Sequence, residues 1–171
     1  MRKKISAAVA LVLVLAIALC ACGSGNSNGV TPNNSGSNTK DYVFKSGSTT
    51  IAMKAEAEPL LKALGAYKNS YEAPSCAFDG MDKIYSYGGF DLMTYTQKDK
   101  DLVSGVVLRD DTVETPEGIT IGSKAEDVKK AYGEFEKDAT SATYTSENCK
   151  LLIIFDNDVV TSIQYIALVE K

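Results

Sequence analysis

Histidine and tryptophan are absent from the 171 residues, and arginine occurs only at positions 2 and 109. Histidine is the side chain most used for proton transfer and metal ligation near neutral pH. Its absence, together with the lack of a Gly-x-Gly-x-x-Gly, P-loop or spaced metal-ligand motif, argues against an enzyme and against nucleotide or metal chemistry. No catalytic residue, cofactor or metal is therefore expected. Asp156-Asn157-Asp158 lacks the glycine and distal glutamate of a calcium loop, and both it and Asp110-Asp111 are read as hairpin and linker acids. Positive charge is also scarce. Without Arg2, Lys3 and Lys4 the chain carries 15 basic against 22 acidic residues, a net of −7. That balance excludes nucleic acid as a partner, because a phosphate backbone requires a positive field.

What is present begins with Met1-Arg2-Lys3-Lys4, an apolar run from Ile5 to Leu19, and Leu19-Cys20-Ala21-Cys22. A basic start, an apolar centre and a small-residue cleavage site are the parts of a secretory signal peptide, assigned here to residues 1–21. The end of this stretch resembles the lipobox of bacterial lipoproteins, with Ala21 before a modified Cys22; Cys20 fits less well because bulky Leu19 precedes it. The alternative, an uncleaved membrane helix over Ile5–Cys22, has only 18 residues and no charged stop after it. Cys22 is expected to carry diacylglycerol on its thiol and an acylated amine. Two or more acyl chains hold a protein to a membrane without any spanning helix. The expected location is the extracytoplasmic face of the cell membrane, on the outer surface of a Gram-positive bacterium. Residues 22–41 then form a tether. The 17 residues Gly23–Thr39 hold no charge, and Val30 is their only large apolar side chain. Such a chain has an r.m.s. span of roughly 20–25 Å.

Two phrases in the remaining sequence match. Thr50–Glu56 lies over Thr120–Glu126 with five of seven positions identical. The match continues from Leu60–Gly65 onto Val128–Gly133 and from Tyr85–Thr96 onto Tyr144–Phe155. A phrase recurring at this spacing predicts a recurring folded unit. The expectation is an α+β fold of two tandem repeats, residues 42–112 and 113–171, each a helix packed on an antiparallel three- to four-stranded meander. Ala57, Leu60, Leu61 and Leu64, then Ala125, Val128, Ala131 and Tyr132, form apolar stripes at helical spacing. Gly65 and Gly133 stop the helices. Pro59 places the first start near Glu58, and Ser123 with Glu126 reads as a capping box. Strands are predicted over Lys83–Tyr87, Phe90–Thr96, Leu102–Arg109, Ala142–Ser146, Cys149–Phe155 and Val159–Leu168, with hairpin turns at Gln97–Lys100 and Asp156–Asp158.

The segment Gly118–Phe135, "GITIGSKAEDVKKAYGEF", resembles the glycine-bounded helix of a superfamily that includes β-lactamase-inhibitor-protein-like domains and the small lipoproteins of outer-membrane assembly. The tandem arrangement is more similar to the former. Ser75–Tyr95 also resembles uncharacterised lipoproteins of Gram-positive gut bacteria. The resemblance implies a domain that binds another protein, with inhibition of an extracellular enzyme as its specific form.

Period-two alternation turns Phe90, Leu92, Cys149 and Leu151 toward the helices. Met93, Tyr95, Leu152 and Ile154 then point outward, with Tyr85 and Tyr144 joining from neighbouring strands. A helix-backed antiparallel sheet normally has a polar outer face, so these six residues form the candidate partner-binding face. Two bland readings compete: the two sheets pack on each other, or the faces are reversed. Cys149 reads as a small buried apolar residue; the alternative is a Cys76–Cys149 disulfide, which an exported chain can keep. The expected function is non-enzymatic binding of an unidentified envelope or extracellular protein. A structural envelope-assembly lipoprotein is the alternative. A small-ligand binder or enzyme using Cys76, with Asp79 and Asp82, comes third.

Overall fold

The structure, a computed structural model, describes residues 41–77, 79–136 and 139–169. The expected signal segment 1–21, the expected lipid-attachment residue Cys22 and the expected tether as far as residue 40 lie outside the described residues. Nine strands and two helices follow in the order β1 (Phe44–Ser46), β2 (Thr49–Ile51), α1 (Ala57–Leu64), β3 (Asn69–Pro74), β4 (Met81–Ser86), β5 (Phe90–Gln97), β6 (Lys100–Leu108), α2 (Ala125–Tyr132), β7 (Ser141–Thr145), β8 (Cys149–Asp156) and β9 (Val159–Ala167). β1 and β2 form a small hairpin, and the other seven strands form one antiparallel sheet in the order β3-β4-β5-β6-β9-β8-β7.

This corrects the expected fold. The chain is not two tandem helix-plus-meander repeats: the described residues are mostly β, 47% strand against 13% helix, and among them are only two helices and one seven-stranded sheet. The physical reason lies at the centre of the sheet. β6 pairs with β9 through Gly105↔Ile166, Val106↔Tyr165 and Val107↔Gln164. Two separate sheets would leave those long apolar strands as open edges, each a template for unwanted pairing. Joining them removes both edges and buries Val106 and Tyr165 almost completely.

Local chemistry explains most element boundaries. Pro59 falls in the first turn of α1, where its missing N–H costs nothing. Gly65 and Gly133 follow the helices with φ of 77° and 103°. The β5–β6 and β8–β9 hairpins each turn on two residues of positive φ, Lys98-Asp99 and Asn157-Asp158, as tight two-residue connections require. The capping box is not formed. The cap position of α2 is Lys124 and makes no side-chain cap bond, while the Ser123 hydroxyl accepts the Thr120 N–H at 3.0 Å.

One apolar cluster forms on a single side of the sheet. It joins Phe44 and Ile51 of the hairpin, Val128 of α2, and Phe90, Leu92, Val103, Val106, Leu151, Ile153, Ile163 and Tyr165 of the sheet. Leu60, Leu61 and Leu64 of α1 pack on it. The hairpin and both helices therefore cover the same face. Where the body begins, Asp41 accepts hydrogen bonds from the Ser146 hydroxyl and from Asn148 Nδ2. The Tyr42 ring sits 6.1 Å from that of Tyr132 and 6.4 Å from that of Tyr144. Lys54 Nζ donates to Asn148 Oδ1 at 3.2 Å.

Candidate binding face

The face opposite the helices is built by the residues that alternate with the core. One cross-strand row traverses all seven strands: Tyr71↔Ile84, Ile84↔Met93, Met93↔Gly105, Gly105↔Ile166, Ile166↔Lys150 and Lys150↔Thr145. A second row runs Asp91↔Val107, Val107↔Gln164 and Gln164↔Leu152. Residues directly opposite in a sheet share a face. Ile84, Met93, Val107, Leu152, Ile154 and Ile166 are all partly exposed, and none belongs to the core cluster. Five neighbouring strands thus hold an apolar field, edged by exposed Ser141, Thr143 and Thr145 of β7.

Gly105 lies in the middle of the first row. A Cβ there would stand 2.8 Å from the Tyr165 carbonyl oxygen and 3.9 Å from Met93 Sδ. The bare backbone lets β6 and β9 close up and leaves a notch between Met93 and Ile166. Beside the field, Arg109 Nε donates to Asp91 Oδ2 at 2.7 Å, with Arg109 Nη2 bonding the same oxygen. Asp91 is buried and Arg109 is largely exposed. The pair places the one carboxylate inside the rows next to its own counter-ion, so the field carries no unpaired buried carboxylate.

The sequence-derived residues divide. Met93, Leu152 and Ile154 stand on the open face. Tyr95 is on that face, between Asp82 and Leu102, but it is 2% exposed and so offers almost no contact surface. Tyr85 and Tyr144 are on the other side, because they pair with Leu92 and Leu151. Both pack on the core cluster, and burial raises both phenols above their ordinary pKa. Ile84, Val107 and Ile166 went unidentified. Each alternates with a core-side residue of its own strand, but which side it takes is set by the register with the neighbouring strand.

Of the four cysteines, two lie among the described residues, and both are free thiols, Cys76 exposed and Cys149 buried, so the disulfide weighed from sequence is not made. Burial pushes the Cys149 thiol up to about 11, which leaves it protonated and unreactive at neutral pH. Cys76, Asp79 and Asp82 all stand exposed. On the helix side, a crevice beside α1 is lined by Glu56, Glu58, Lys62, Lys83, Lys100 and Asp101. Its three lysines are each matched: Lys62 with Glu58, Lys83 with Asp101 and Lys100 with Glu56. Among the described residues no group of three His, Cys, Asp or Glu side chains is placed to hold a metal ion. No helix among them is long and apolar enough to cross a membrane. No known protein family, curated protein or solved structure matches the chain.

Proposed function

We propose that the protein is a non-enzymatic binding module, tethered to the outer surface of a cell membrane through a lipid on Cys22, that docks another envelope or extracellular protein on its open sheet face. The observation that carries this reading is the apolar field of Ile84, Met93, Val107, Ile166, Leu152 and Ile154. A sheet covered on one side by helices ordinarily turns polar side chains to water on the other. Contiguous exposed apolar surface rimmed by polar residues marks interaction sites. Methionine with aliphatic neighbours adapts to a partner's shape, and such residues concentrate at the centre of interfaces while charge collects at the rim. Inhibition of an extracellular enzyme is the specific form of this function.

The test is capture from the native envelope with the wild-type protein and with a Met93→Asp/Leu152→Asp variant, after thermal melts confirm that both are folded. Proteins retained by the wild type should be lost by the variant. Equal recovery of the same proteins by both would remove the open face from the reading. Fatty-acid labelling of the cells tests the tether: Cys22→Ser should abolish incorporation.

A further inference from the structure

β3 is an outer edge of the sheet, and among the described residues no strand pairs with its free side. Its exposure is unusual even for an edge: five of its six residues are exposed, and Tyr71 is 66% exposed, the most of any large apolar side chain among those described. Natural sheets blunt such an edge, because its unpaired N–H and C=O groups invite another strand. Here the charge pattern selects which strand.

Lys68 stands one residue before β3, and its N–H bonds the Ser86 carbonyl at 2.7 Å. Glu72 lies four residues on; it faces Lys83 across the strand pair and Lys68 acts electrostatically on Asp110, but neither Lys68 nor Glu72 closes an ion pair among the described residues. Ser70 stands midway between them. In an antiparallel pairing of this strand with its own copy, centred on Ser70, Lys68 faces Glu72 of the second copy and Glu72 faces Lys68. Asn69 faces Tyr71, and the two Tyr71 rings become diagonal neighbours, within reach of aromatic side chains. Ser70 and Glu72 lie on the helix side, where Ser70 pairs with Tyr85 and Glu72 with Lys83; Tyr71 is on the open side with Ile84. Both faces of the joint are thus complementary. Centring on Glu72 would oppose like charges, and centring on Tyr71 would leave Lys68 facing Pro74. The opposite edge, β7 (Ser-Ala-Thr-Tyr-Thr), carries no charge with which to specify a register.

We infer that β3 is a self-association edge, where a second copy of this chain pairs antiparallel about Ser70. The joined object is one continuous sheet of twice the width. A two-fold axis perpendicular to a sheet keeps equivalent faces on the same side, so the two open faces lie side by side. A partner with two epitopes would then be held bivalently. The pairing does not require the docking role of the open face.

The test combines charge reversal with cross-linking on the full chain. In a Cys76→Ser background, Ser70→Cys should form a disulfide-linked dimer on mild oxidation, whereas Ser141→Cys on the far edge should not. Sedimentation in density-matched detergent should show a concentration-dependent dimer. Glu72→Lys should weaken it about tenfold, by turning two attractive cross-strand pairs repulsive. Lys68→Glu/Glu72→Lys should restore it. These positions are exposed, and unchanged thermal melts separate lost association from lost folding. A monomer at every concentration, a dimer indifferent to Glu72→Lys, no rescue by the double reversal, or equal cross-linking at Ser141→Cys would each overturn the inference. No partner protein takes part in these measurements, so they fail or succeed independently of the open-face docking test.

Discussion

The two faces of the seven-stranded sheet use nearly the same side chains for opposite ends. Leu151 and Leu152 are consecutive in β8, yet the first is fully buried under the helices and the second is partly open to solvent. The same contrast separates Leu92 from Met93, and Ile153 from Ile154. Apolar content therefore does not distinguish the faces; cover does. A strand that alternated only to make a core would place serine, threonine or lysine at Met93, Leu152 and Ile154, as β7 does at Ser141, Thr143 and Thr145. The open face is apolar beyond what folding requires, and that excess is what points to binding.

Neighbouring substitutions in β8 break the comparison most sharply. Leu151→Ala should cost about 2–5 kcal/mol, as truncations in a close-packed core do. Leu152→Ala should cost less than about 1 kcal/mol, because water already reaches that side chain. Urea unfolding of the pair measures the difference, and equal losses would mean that the open face is core. Gly105→Ala follows in size. Its methyl would collide with the Tyr165 carbonyl, a backbone atom that yields only if β6 and β9 separate, and we expect a loss of about 1–3 kcal/mol. A smaller effect than that of Gly105→Ala lies in the helix-side crevice. Burial works to raise the Asp101 pKa, but hydrogen bonds from Lys83 and Thr96 outweigh it and hold the carboxyl below its ordinary 3.8. A depressed carboxylate stabilises the fold above its unfolded pKa, and that contribution disappears as the pH falls through the lower folded value. Asp101→Asn should therefore lower stability by about 1 kcal/mol at pH 7. As the pH falls through the lowered Asp101 pKa the gap between variant and wild type should close, as read by melts across the acid range.

The six strands from β4 to β9 were legible from alternation and turn residues to within two positions, as were both helices. The three strands that were missed show where pattern reading stops. β1 and β2 have three residues each, too few for a period to register. β3 reads Asn-Ser-Tyr-Glu-Ala-Pro, with a polar majority and a proline that belong to an edge rather than to a core. The matching phrases at Thr49–Gly65 and Ile119–Gly133 mark two similar corners where the chain turns into a short helix. Likeness between the two halves carried no information about which strands would join across the middle. The misplacement of Tyr85 and Tyr144 has a different cause. Alternation sets the relation of residues within a strand, but the side taken by a neighbouring strand depends on register, and a shift of one residue reverses every side chain. The pairings Tyr85↔Leu92 and Tyr144↔Leu151 resolve it only in three dimensions. The bulges at Met93/Thr94 and Ile154/Phe155 add a further offset that no period reveals.

The fastening of Asp41 and Tyr42 bears on how this body would meet mechanical tension. A pull on the backbone at residue 41 does not fall first on the small β1–β2 hairpin. It passes through Asp41 to Ser146 and Asn148 in the β7–β8 turn, and through the Tyr42 ring to Tyr132 and Tyr144. Lys54 braces Asn148 from the other side. The load is therefore spread over parts of the chain some hundred residues apart in sequence. Stretching from that end would have to tear these side-chain fastenings before it could peel a strand.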